Sequence, residues 1–105
     1  MSSREPCQVV LVDENPSYRA ALSRVLSRER GIQVVGETSD GEEAVRLVQR
    51  TRPNAVLVDL SLPANGATLA ARAISRSCPT PILLLSMQPR APENRAALRS
   101  LQAGM

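Results

Sequence analysis

The sequence has no histidine, no lysine, no tryptophan and no phenylalanine, and its single aromatic residue is Tyr18. Without histidine, the two cysteines have no imidazole with which to share a metal. Cys7 and Cys78 also lie far apart with no ligand spacing, so both are expected to remain reduced thiols. With no aromatic beyond Tyr18, the chain offers no platform on which nucleic-acid bases could stack. Its positive charge, 13 arginines against 10 acidic residues for a net +3, is scattered without a basic run, which reads as a solvated surface rather than a nucleic-acid site. No stretch approaches the roughly 20 apolar residues of a membrane span, and the amino terminus lacks a basic segment followed by an apolar one. A cytoplasmic location is expected on these grounds. No glycine-rich loop follows any apolar run, which argues against dinucleotide binding.

What is present is a chain of 105 residues, 43% apolar and 22% charged, enough for one core and too little for two. Four short, nearly continuous apolar runs stand out: Val9 to Val12, Ile32 to Val35, Ala55 to Val58 and Ile82 to Leu85. A helix-like segment fills each gap. Runs of this kind alternating with helices mark a parallel sheet buried on both faces.

The helix signals agree. Asn15 is placed to cap a first helix with Pro16 at its first position, and Tyr18, Leu22, Val25 and Leu26 form one apolar stripe. Asp40 and Glu43 have capping-box spacing ahead of Ala44, Val45, Leu47 and Val48. Leu69, Ala70, Ala73 and Ile74 form a third stripe after Asn65-Gly66, and Ala91-Pro92-Glu93 opens a fourth helix that stops at Gly104. The expected architecture is α/β, βαβαβαβα, with residues 1–6 a disordered lead-in and the domain spanning residues 7–105. Right-handed crossovers place the helices on both sides of the sheet and every carboxyl end of a strand along one rim.

Ligands of open α/β sheets bind at that rim, so the residues that end the strands are the ones to read. The first run ends in Asp13-Glu14, the third in Asp59 and the fourth in Ser86. Any one of these could simply solvate a strand end or cap a helix. Together they pose an electrostatic problem, because two carboxylates about 4 Å apart repel by roughly 4 kcal/mol at an effective dielectric of 20. Such a cluster needs a raised pKa or a bound cation, and hard oxygen ligands suit Mg²⁺ paired with a phosphoryl group.

The segments VVLVDENP, VVGETSDGEEAV, RPNAVLVDLSLPANG and PILLLSMQ, in this order and spacing, resemble the receiver domain of bacterial two-component response regulators. VVGETSDGEEA is similar in particular to receivers coupled to a LuxR-type DNA-binding domain and hence to transcription regulation. The likeness covers about residues 7–104. It implies a three-layer, flavodoxin-like receiver fold with four strands in order 2-1-3-4. It further implies that Asp59 is the phosphoacceptor, taking its phosphoryl group from a sensor histidine kinase. Asp13 and Glu14 would hold Mg²⁺ together with Asp59 and the backbone carbonyl of Ser61, Ser86 would be the switch hydroxyl, and Pro63 and Gly66 would shape the phosphorylation loop.

The sequence also departs from the family's pattern. It ends at Met105, where the family continues into a fifth strand ending in lysine and a fifth helix, so the receiver fold is expected to be incomplete. Arg90 is a poor substitute for that lysine, since a planar fork does not mimic a point charge. Met87 stands where a small residue is usual and reads as flexible filler. The run Ile82 to Leu85 would then form an exposed edge, which predicts association, as a homodimer or with a strand-donating partner. Two other functions compete with a phosphoacceptor signalling domain. One is a pseudo-receiver, a phosphorylation-independent interaction module or a non-functional fragment. The other is a phosphatase using an aspartyl phosphate, whose pair of aspartates flanking one residue is absent from Asp13-Glu14-Asn15.

Overall fold

The computed structural model describes residues 5–59 and 66–85. Within them the chain runs β1 (Cys7–Val12), α1 (Pro16–Ser27), β2 (Ile32–Thr38), α2 (Gly41–Thr51), β3 (Ala55–Asp59), α3 (Gly66–Ser77) and β4 (Ile82–Leu85). The expected fourth helix lies outside the described residues, as do Ser61, Pro63, Ser86, Met87 and Arg90. Of the expected lead-in, Glu5 and Pro6 are exposed and precede β1. No helix among the described residues is long and apolar enough to cross a membrane.

The four strands form one parallel sheet in the order β2-β1-β3-β4, as the resemblance implies. Alternate residues of the strands feed two cores, the pattern expected of a sheet covered on both sides. Val10, Val12, Val56 and Val58 face one side and pack with Ala44, Leu47 and Val48 of α2 and Ala67 and Ile74 of α3. Val9, Leu11, Ala55 and Leu57 face the other side, where Leu22 and Leu26 of α1 lie against them. The β1–β2 register slips by one residue between Val9 and Val10, so that Val10 pairs with Gly36. A side chain there would bring its Cβ to 3.2 Å from Leu47 Cδ2, and glycine leaves that space to the leucine.

The helix caps are those read from the sequence. Asn15 Oδ1 accepts from the Tyr18 N–H at 3.0 Å, with Pro16 next in line, and Asp40 Oδ2 accepts from the Glu43 N–H at 3.0 Å. Two apolar stripes differ from expectation. On α1, Leu22 and Leu26 pack, while Tyr18 and Val25 are 40% and 56% exposed. On α3 the buried face comprises Ala67, Thr68, Ala70, Ala71 and Ile74, and Leu69 is 62% exposed. The reason is the small size of the alanines. Gly41, at the start of α2, is so close to α3 that an added Cβ would meet the Ala70 Cβ at 3.3 Å. That contact turns the alanine face inward and leaves the larger Leu69 outside.

Candidate functional site

β1 and β3 are adjacent and parallel, with Val12 opposite Val58, so the residues that follow them on the carboxyl side emerge side by side. These are Asp13 and Asp59. Asp13 is 4% exposed, and three contacts fix it. Its N–H donates to the Thr38 carbonyl at 3.0 Å, extending the pairing of β1 with β2 by one residue. Its Oδ1 accepts from the Asn15 N–H at 2.9 Å, and its carbonyl accepts from Arg19 Nη1 at 2.6 Å. Asn15 thus serves two neighbours: its N–H turns the Asp13 carboxyl, and its side chain caps the helix that carries Arg19.

The Asp13 carboxyl is held above the ordinary aspartate range. Burial is the main cause, and the charge of Asp59 and a hydrogen bond with its side chain push the same way. The Asn15 N–H and the Arg19 guanidinium act against them. Asp59, at the end of β3, is partly buried. The two aspartates that the sequence reading placed on one rim are therefore in contact, with the repulsion anticipated for them.

Glu14, the other acidic candidate, follows Asp13 and has an exposed side chain. Among the described residues, no group of three or more acidic or cysteine side chains converges tightly enough to hold a metal ion. The Ser61 carbonyl and the Ser86 hydroxyl lie outside the described residues. What is present nevertheless suits a hard divalent cation. Two aspartate carboxyls meet at the mouth of a parallel sheet, one is destabilised in its charged form by burial and by the other, and a third carboxylate is adjacent in sequence. A cleft of about 540 Å³ opens between α2 and α3, but none of Asp13, Glu14 and Asp59 lines it, so the rim is an open acidic edge and not the floor of that cleft.

Sequence reasoning missed the cationic neighbour of this rim. The 13 arginines read as solvated surface, yet the Arg19 side chain is only 20% exposed and is turned toward the end of β1. The available signal was its place in the first turns of α1, six residues after Asp13 and thus on the helix end facing the rim.

A parallel sheet in the order 2-1-3-4 with two aspartates in contact at its carboxyl edge is the architecture of the flavodoxin-like class that the sequence resemblance implies. Residues 9–105 match the response regulator receiver domain family, and the chain belongs to that family. Among curated relatives, protein-glutamate methylesterase/protein-glutamine glutaminase 4 of Geobacter metallireducens is 36% identical over 97 residues, 92% of this chain but 28% of the relative. The chain thus spans little more than a quarter of that relative's length. The signal receiver domain of the response regulator NarL from Mycobacterium tuberculosis is 31% identical, with a TM-score of 0.80 over 95% of this chain and 78% of that one. A LuxR-family two-component response regulator from Aurantimonas sp. is 34% identical, with a TM-score of 0.79 over 95% of this chain and 70% of that one. The LuxR-type likeness read from the sequence is met in the Aurantimonas regulator. Phosphoacceptance is the family's role, receiver domains take their phosphoryl groups from histidine kinases, and they bind Mg²⁺ to do so.

Proposed function

We propose that Asp59 is the phosphoacceptor of this domain, and that Asp13 and Glu14, with the Ser61 carbonyl, hold the Mg²⁺ that phosphorylation requires. The observation that carries the reading is the contact of the Asp13 and Asp59 carboxyls at the carboxyl edge of β1 and β3. A carboxylate of Asp59 attacks the phosphorus of a phosphohistidine on the kinase; the new O–P bond forms as the P–N bond breaks, and the imidazole leaves. Asp59 is pre-aimed because it ends a central strand, and Asp13 is pre-aimed by the three contacts to its backbone and carboxyl. A bound divalent cation would neutralise the charge gathered on the carboxylates and the phosphoryl oxygens. Ser86 is assigned the hydroxyl that hydrogen-bonds the phosphoryl group and shifts the loop after β4. The partners that fit are a sensor histidine kinase and, at the β4 side, a second copy or a strand-donating protein.

We further infer a signalling role for this domain, and do not carry over the hydrolytic activity in the names of the curated relatives, because the match covers only 28% of the relative's length. The test is incubation with Mg²⁺ and acetyl phosphate, followed by intact mass. One added phosphoryl group, absent from Asp59→Ala and lost when Mg²⁺ is chelated, is expected. A folded protein that gains no mass points instead to a phosphorylation-independent module.

A further inference from the structure

Arg19 stands within reach of an acidic rim yet spends its strongest contact on a neutral group, the carbonyl of Asp13 at 2.6 Å. A guanidinium beside carboxylates has a competing option, bidentate pairing with them, which is among the strongest hydrogen-bonding arrangements available to it. Pairing of that kind with the rim would put a fixed cation where a mobile one is needed. The structure shows what draws Arg19 the other way. Its Nε lies 3.7 Å from Glu37 Oε1 on β2, and Glu37 Oε2 in turn accepts from Ser23 Oγ on α1 at 2.9 Å. The Glu37 side chain is 38% exposed, so an ion pair of this length contributes little to stability. Its effect is directional: Glu37, oriented by Ser23, takes one edge of the planar fork and leaves Nη1 aimed at the end of β1.

We propose that Arg19 is a positioning residue for the divalent-cation site, kept on the Asp13 carbonyl by Glu37 and Ser23. It fixes the turn that carries Asp13 and Glu14 while being held off their carboxylates. The proposal rests on the assignment of Asp13 and Glu14 as cation ligands made above, and it adds residues that do not touch the ion. Outer contacts that orient ligands commonly change metal affinity by about 10- to 100-fold when removed. Glu37 should act only through Arg19, by releasing the guanidinium to compete for the carboxylates.

The experiment is titration of the unphosphorylated protein with Mn²⁺, a spin-active stand-in for Mg²⁺, reading free ion by electron paramagnetic resonance. Arg19→Ala is expected to raise the Mn²⁺ Kd about tenfold. Glu37→Gln is expected to raise it by a smaller factor while barely moving the metal-free Tm, and to have no further effect in the Arg19→Ala background. Variants that fold and bind Mn²⁺ within about twofold of the wild type, a tighter Kd in Arg19→Ala, or a Glu37→Gln effect that persists without Arg19 would each overturn the proposal. Should Arg19→Ala not fold, the Kd of Glu37→Gln alone decides, because its lost ion pair is too weak to unfold the domain. A wild-type protein that binds no Mn²⁺ overturns the cation-site assignment as well, whereas wild-type binding that no variant alters overturns only the role of Arg19.

Discussion

Burying Asp13 beside Asp59 costs stability that a neutral residue at the end of β1 would not cost, and the cost has a sign that can be followed with pH. In the folded protein Asp13 keeps its proton to higher pH than in the unfolded chain, chiefly through burial and then through Asp59. Above the unfolded value the native state therefore binds the extra proton, and the stability it contributes is present at low pH and lost as pH rises through the folded value. Asp13→Asn removes that loss and retains an oxygen for the Asn15 N–H and a donor toward Asp59. In chelator, Asp13→Asn is expected to be more stable than the wild type at neutral pH by about 1 kcal/mol, the scale on which relieving a functional site returns stability. Thermal melts at several pH values check this, with the advantage shrinking toward acid pH. The acidic residues of this site were legible because strand ends are marked by an abrupt change from valine to aspartate. Arg19 was not legible from composition, which does not separate it from the other arginines; only its place in the first turns of α1, six residues after Asp13, marks it.

At the level of elements, the caps and strands follow from local chemistry and were readable as such: asparagine before proline, aspartate three residues before glutamate, valine runs of strand length. The face of α3 was not readable, because periodicity gives the stripe but neighbouring helices choose its rotation. Leu69 and Ile74 shared one apolar stripe in sequence, yet the structure leaves the first 62% exposed and buries the second fully. Their alanine variants should therefore separate sharply. Ile74→Ala is expected to cost about 2–5 kcal/mol through the cavity it leaves between α3 and the sheet. Leu69→Ala should stay within about 0.5 kcal/mol of the wild type. Asp40→Ala, which removes the acceptor for the Glu43 N–H, belongs between them at about 1 kcal/mol. Urea unfolding of the three variants orders these values, and a large loss at Leu69 would contradict the alanine-to-glycine packing of α3 on α2.

On the scale of the molecule, the two ends of the sheet are not alike. Among the described residues, β2 at one end is flanked by both α1 and α2 and carries Gln33 and Glu37 on exposed positions, whereas β4 at the other end is four apolar residues with Leu83 56% exposed. An apolar strand at a sheet terminus presents backbone groups that template pairing with another chain; charge on the strand is one means by which proteins prevent it, and the shortness of β4 limits it only in part. A net charge of only +3 offers weak long-range repulsion at physiological salt, where the Debye length is about 8 Å. The 105-residue chain is therefore expected to associate through β4 as its concentration rises, with light scattering reporting a mass that grows toward the dimer. Leu83→Lys, which places a charge on the exposed side chain and leaves its partly buried neighbours Ile82 and Leu84 untouched, should return the scattering mass to that of the monomer without lowering Tm. A sharp monomer for the unaltered chain at high concentration would mean that β4 is covered by residues of its own chain, and the kinase would then be the partner to seek at the acidic rim alone.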